Sequence, residues 1–305
     1  MNKALTTTAI GVALALYAGT ASADLSAEDV WSDWKEYMSS SGYSVTAGES
    51  KSGNALTVTD MTMVLPIPEE DAEVALNMGT MTFVENGDGS VNVEFPNPMP
   101  IKFTVGEGSE MVSGSVIMTH SGSMMKVEGD PSDMTITHAS AVNEMTIGDL
   151  MAEGQPIPTD LMKFVVRTTD ARGTTRMQSG DLRRFDQSVS VGSLAYDFAF
   201  SDPTSSDQGA FQGAVSGTTF KGVGAIPKNI DASDMAAMMA AGFTMDGGFT
   251  YEAGNSNVQG SGDGDEFAMT TSSSGGTFGI GMTSSNLSYD ISSRNLNISV
   301  SSSEL

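Results

Sequence analysis

Residues 276–302 read GTFGIGMTSSNLSYDISSRNLNISVSS. Phe278, Ile280 and Met282 alternate with small or polar residues, as do Leu287, Tyr289 and Ile291, and then Leu296, Ile298 and Val300. A period of two is the mark of a strand with one buried and one solvated face. The breaks between the three runs are short and polar, so the stretch predicts three strands of an antiparallel meander.

The same alternation extends back along the chain. It is present at Met61, Met63 and Leu65, and at Val74, Leu76 and Met78. There the phase flips at Gly79 to Met81 and Phe83, which predicts a β-bulge. Glu85-Asn86-Gly87-Asp88-Gly89 predicts a hairpin turn leading into Val91, Val93 and Phe95. Val116 and Met118, Met134 and Ile136, Phe164 and Val166, and Leu194, Tyr196, Phe198 and Phe200 continue the pattern. Strands with one apolar and one polar face belong to antiparallel sheets, because buried parallel strands are apolar on both. The expected fold is mainly β, an antiparallel meander forming an elongated curved sheet or a sandwich, with closure into a barrel left open. No strict repeat of about 20–50 residues is visible.

Two helices interrupt the β pattern. Ser26-Ala27-Glu28-Asp29 is a capping box, and Gly42 stands where a left-handed C-terminal cap belongs. Between them Val30, Trp31, Trp34, Tyr37 and Met38 recur at three- and four-residue spacing, with Asp29, Asp33, Lys35 and Glu36 largely opposite. This amphipathic helix carries both tryptophans and is expected to dock on the sheet or plug one end of it. A short internal helix is expected near residues 233–241, stopped by Gly242.

Composition narrows the function. The 305 residues include no cysteine and only 2 histidines, and 14 Lys+Arg against 38 Asp+Glu give a net charge of -24. The absence of cysteine excludes disulfides, thiolate metal sites, Cys nucleophiles and lipoprotein acylation. Nucleic acids and anionic membranes need a basic face, so neither is an expected partner. Residues 1–23, MNKALTTTAIGVALALYAGTASA, combine Lys3, a short apolar run and a small-residue cleavage site at Ala21-Ser22-Ala23. They read as a cleaved secretory signal peptide, which places the protein in the periplasm. The domain plan is therefore a signal peptide (1–23), an N-terminal helix (24–42) and a β-rich domain (43–305), whose continuation beyond Leu305 is left open. No later stretch is long and apolar enough for a membrane span, so the chain is not expected to be integral to the membrane.

The leader, the helix LSAEDVWSDWKEY, then SGYSVT and ALTVTDMTM (Leu25 to Met63), together with FVENGDGSVNVEF (Phe83 to Phe95), resemble the domain of unknown function 2125 family, exported proteins of alphaproteobacteria. The resemblance implies an exported location and a similar length. It carries over no catalytic or ligand residue.

Candidate sites are few. Twenty-two methionines mostly stand where Leu or Val would line the inner face of a sheet, and Met61, Met63, Met81, Phe83, Met118 and Met134 are the candidate lining of a groove for an apolar ligand. His120 and His138 end two matching stretches, V-x-M-x-H and M-x-I-x-H. A three-strand meander would set them about 9–10 Å apart on one face, a weak alternative to having no metal site. Asn86–Gly89 and Gly262–Glu266 gather carboxylates on Gly-rich turns but match no calcium loop. Ser123-Met124-Met125-Lys126 has the spacing of penicillin-recognising enzymes without their other motifs. Lys163, Arg167, Arg172, Arg176, Arg183 and Arg184 form a basic segment, expected either to pair with the protein's own carboxylates or to bind an acidic partner.

No nucleophile–base–orienter set can be assembled, so a non-enzyme without cofactors is expected. The leading function is a scaffold or a carrier of an apolar or amphiphilic ligand such as a lipid. The alternative is an envelope-associated protein-interaction module.

Overall fold

The computed structural model describes residues 24–67, 72–106, 111–205, 207–228, 230 and 234–303. The proposed leader, residues 1–23, lies outside them. The strands of the described residues form one antiparallel sheet. Its organising unit is a long rung, often broken near its middle into two collinear strands.

The first rungs are β1 (Ser44–Ser52) and β2 (Ala55–Ile67). Three broken rungs follow: β3 (Ala72–Met78) with β4 (Met81–Glu85), β5 (Val91–Glu94) with β6 (Met99–Val105), and β7 (Val112–Ser121) with β8 (Met124–Asp130). Next come β9 (Asp133–Ala152), its two-residue partner β10 (Gln155–Pro156), β11 (Met162–Gln178), β12 (Leu182–Ser201) and β13 (Gln208–Pro227). The last rungs are broken again: β14 (Thr244–Tyr251) with β15 (Ala253–Gly262), β16 (Asp265–Ser273) with β17 (Gly276–Thr283), and β18 (Asn286–Ser293) with β19 (Asn297–Ser302). Rungs begin at Val91, Val112 and Asp133, and again at Thr244, Asp265 and Asn286, an even spacing of 21 residues. Longer connections around β10 and before β13 and β14 hide this period from a scan of the sequence.

The breaks line up as a crease across the sheet. β12 and β13 pair Val191 with Thr218 and Ser193 with Ser216, so the ladder keeps one register on both sides of Gly192 and Gly217. The next rung keeps it too, through Thr219↔Thr250 and Ser216↔Ala253. Residues in the left-handed region sit on or beside the crease: Asp60, Gly122, Asp170, Gly217, Gly275 and Asn295. A left-handed residue bends the strand locally, and here the apolar alternation shifts by one at the crease while the pairing register is kept. In β12 the apolar positions are odd before Gly192 (Phe185, Val189, Val191) and even after it (Leu194, Tyr196, Phe198). The flip in β12 lies opposite the left-handed Asp170 and Gly217 of its neighbours, although Gly192 itself is not left-handed. Gly79 is not left-handed either, and Met61↔Met78 and Val58↔Met81 keep one register past it, so the β-bulge expected there is absent and Gly79 marks the break between β3 and β4.

The crease corrects two expectations. Leu296–Val300 is not a third hairpin strand, because β19 continues the rung of β18 and pairs with β16. Likewise β7 and β8 are halves of one rung, both paired with β9. The step from Ile291 to Leu296 across the crease is five residues, as is the step from Met282 to Leu287 across a true hairpin. The two cannot be told apart by spacing.

Helix α1 (Ala27–Ser40) forms as predicted. Ser26 accepts from the Asp29 backbone, Asp29 accepts from the Ser26 backbone, and Gly42 has φ +92°. Trp31, Val30, Leu25 and Ala27 are buried against Leu56, Val58, Met81, Phe83, Val91, Val93 and Val127 on the apolar face of the sheet. Trp31 and Trp34 flank Phe83, with ring centroids at 6.0 and 5.4 Å. The short helix α2 (Met235–Ala240) also appears, with Gly242 at φ +101° beyond it.

Asp33 departs from the expected polar side. It is buried and takes a two-pronged ion pair from Arg183 of β12, with Nη1 to Oδ2 at 2.9 Å and Nη2 to Oδ1 at 2.8 Å. Meanwhile Trp31 Nε1 donates to Glu49 of β1 at 2.7 Å. Glu49 and Arg183 lie seven rungs apart, about 34 Å on a flat sheet. Residues two apart on one helix touch both, so the sheet curls around α1 with its apolar face inward.

Candidate functional site

The apolar face has a filled part and an open part. In the filled part Met61, Met81, Phe83 and Met134 are at most 2% exposed and belong to the core under α1. Met63 packs against that core. Of the six residues expected to line a groove, these five are engaged by the helix or its core, which corrects the expectation of an open site there. The aromatic residues of α1 occupy the surface that the sequence left free for a ligand. Met118 stands apart, half-buried across from Met145 beyond the crease.

The open part lies on later rungs. Phe164, Tyr196, Phe198 and Phe211 form a cluster across β11, β12 and β13, with centroids 4.7 to 6.1 Å apart. On the other side of the crease Phe249 stacks on Phe278 at 5.6 Å. Exposure rises toward the last rung: Phe211 is 41% exposed, whereas Tyr289 is 75% and Ile291 70% exposed. Several rings lie across a glycine of the neighbouring strand. A Cβ on Gly213 would stand 2.4 Å from Tyr196 Oη, and one on Gly209 or Gly224 would stand 2.4 Å from the ring of Phe200 or Phe185. Only glycine admits rings in this posture, and lying flat they make a smooth apolar surface. A cavity of about 930 Å³ opens at the strand ends beside Met162, Phe200 and Phe267.

The charged residues serve the fold. Lys163 pairs with Asp197, Arg167 with Glu144 at 2.9 Å, and Arg176 with Asp133. Arg183 is on the apolar face under α1, whereas Arg172 and Arg184 alternate onto the polar face and make no ion pair among the described residues. The basic segment is thus divided between two faces, and four of its six members bond to the protein's own carboxylates. Asp88 accepts from the Ser90 hydroxyl and backbone and from Lys126, which together hold its carboxyl down at about 2. Those bonds make Asn86–Gly89 a self-satisfied turn. Lys126, the end of the Ser123 motif, bonds Glu128 at 2.8 Å and Asp88 at 3.2 Å. Gly262–Glu266 forms the tight turn between β15 and β16.

The histidines are farther apart than a meander would set them. His120 faces Asn143 and His138 faces Met125, a five-residue offset along β9 worth about 16 Å. His120 Nε2 stands 3.3 Å from the Pro96 carbonyl oxygen. His138 lies over Gly173, and burial pushes its pKa below the ordinary value. Among the described residues no three His, Cys, Asp or Glu side chains are grouped to hold a metal ion. None of the described helices is long and apolar enough to cross a membrane.

Comparison with family models, with curated proteins and with solved structures gives no match for this chain.

The signal that sequence reading missed was available. Aromatics concentrate at Phe164, Tyr196, Phe198, Phe200, Phe211, Phe220, Phe249 and Phe278, past the reach of a 14-residue helix. Met61, Met63, Met81 and Met134 stand instead on the rungs that α1 fills.

Proposed function

We propose that this is an exported, non-enzymatic carrier that holds the hydrocarbon part of an apolar or amphiphilic ligand on its uncovered sheet face. The observation that carries this reading is a pair of uncovered apolar rows, one on each side of the crease. The Phe164–Tyr196–Phe198–Phe211 cluster continues through the paired Val258, Met269 and Val300, and Phe220, Phe249, Phe278 and Ile291 pair in series on the other side. Monomeric soluble proteins rarely leave contiguous apolar patches beyond a few hundred Å² uncovered, and those that do use them for binding. Flat rings and flexible methionines suit a chain-like guest of irregular shape. The polar face, with its paired charges, keeps the loaded protein in solution.

The test is native mass spectrometry of protein recovered from its own periplasm, followed by titration with a fluorescent fatty-acid probe. A bound lipid mass is expected, and Phe198→Asp with Phe211→Asp should weaken the probe at least tenfold while far-UV circular dichroism is unchanged. A ligand-free mass together with probe binding indifferent to both substitutions would refute it. A ligand-free mass with a stoichiometric protein partner would favour the interaction-module reading.

A further inference from the structure

Behind the aromatic cluster, the polar face of the same rungs is concave. Successive residues of a strand point to opposite faces, so the chain neighbours of Tyr196, Phe198 and Phe211 point away from the rings. Pairing sets Asp197, Gln212 and Asn257 in one row across β12, β13 and β15, and Ala195, Ala214 and Asn255 in the next. Val165 and Arg167 of β11 extend these rows. Together they line a cavity of about 440 Å³. Ala195 and Ala214 are short, and the longer side chains of Arg167, Asp197, Gln212, Asn255 and Asn257 surround them, which makes a furrow. Its amides are idle: Gln212, Asn255 and Asn257 make no side-chain hydrogen bond among the described residues. By contrast Asn54, Asn77, Asn97, Asn143 and Gln178 each bond a neighbour. Asn257 Oδ1 is buried and has no partner among the described residues. A buried acceptor left unpaired is costly and calls for a donor. The charges at the furrow cancel, Arg167 against Glu144 and Asp197 against Lys163, in a chain of net charge -24.

We infer that this furrow binds a neutral oligosaccharide. A carboxamide carries donors and an acceptor side by side. Sugar hydroxyls also donate and accept, so the three amides match adjacent hydroxyls without selecting for charge. The C–H face of a pyranose ring packs on the alanine methyls, and a ligand hydroxyl supplies the donor that Asn257 Oδ1 lacks. An ionic ligand gains little from charges that are already paired, and an anion is repelled by the chain as a whole. Rows across the sheet advance about 4.8 Å per rung, close to the repeat of sugar rings in an extended chain. The furrow and the apolar rows are on opposite faces of the sheet. The inference therefore needs no lipid, and it is tested on lipid-stripped protein so that it stands or falls separately from the carrier reading.

The test is saturation-transfer NMR with maltotetraose, cellotetraose and chitotetraose, and with tetragalacturonate as the anionic control. At least one neutral tetrasaccharide should receive saturation on its ring protons, and the control none. Gln212→Ala with Asn257→Ala should weaken that sugar at least fivefold with far-UV circular dichroism unchanged. Ala214→Leu, which fills the furrow and removes no hydrogen-bonding group, should weaken it as much. Asn255→Ala alters only an exposed side chain and keeps the test open should the other variants misfold; it should weaken the sugar at least twofold. Silence from all three neutral sugars, equal saturation of tetragalacturonate, or binding indifferent to these substitutions would each overturn the inference.

Discussion

Replacing Arg183 by Ala removes one half of an ion pair that joins positions 150 residues apart. The side chains of Arg183 and Asp33 are only 4% and 9% exposed, so water does little to screen them. After the substitution Asp33 keeps a hydrogen bond from Ser179 Oγ at 3.3 Å and no cation within reach. Stranding a buried charge in this way costs about 3–5 kcal/mol. Arg183 also stands over the Tyr37 ring at 5.3 Å, so the substitution loosens the C-terminal half of α1 as well. Both tryptophans are on α1, which gives the assay its resolution. Denaturant unfolding followed by tryptophan fluorescence reports helix docking, and far-UV circular dichroism reports the sheet. The expected result is a fluorescence midpoint that falls well ahead of the dichroism midpoint. The pair Asp33→Leu with Arg183→Met should recover to within about 1 kcal/mol of the parent, because apolar replacement of a buried pair is often neutral. A single variant costing less than about 1 kcal/mol, or a double variant as weak as the single, would refute the argument.

Three further outcomes follow from the same geometry. Phe83→Ala, at a fully buried site between two tryptophans, should cost about 3–5 kcal/mol in denaturant unfolding, whereas Phe211→Ala on the open face should cost about 1 kcal/mol or less. Burial lowers the pKa of His138, so the unfolded chain takes up its proton first and stability falls as pH drops through about 6.5. His138→Gln should flatten that dependence between about pH 7.5 and pH 5.5 in denaturant midpoints. Gly129 has φ +111°, and a Cβ there would stand 2.2 Å from the Asp133 carbonyl oxygen, so Gly129→Ala should lose more than about 1 kcal/mol by thermal melting.

The fold class was legible because alternation is a direct projection of a half-buried sheet onto sequence. The capping box at Ser26 and the stops at Gly42 and Gly242 were legible for the same reason, since each is a local requirement of the backbone. What spacing could not show was whether a polar break folds the chain back or lets it continue. Ser121-Gly122-Ser123 and Ser293-Arg294-Asn295 both read as turns, yet each lets its rung run on across the crease. That ambiguity set His120 and His138 too close together and turned β19 into a separate hairpin. The open face was misplaced for a different reason. Which rungs α1 covers depends on the curl of the sheet, and the curl is written in contacts such as Asp33–Arg183 between residues far apart in sequence.

Each rung bonds to the rungs beside it, so most of the sheet is assembled one neighbour at a time, as in a linear polymer. α1 ties the early rungs to β12, and among the described residues no such brace holds β14 to β19. A pull on the C-terminal end would therefore peel rungs away singly, each at a modest and similar force, until it met the helix-braced body. Amide hydrogen exchange should record the same gradient at rest, fastest in β18 and β19 and slowest in the strands that hold Val58, Phe83, Val91 and Val127.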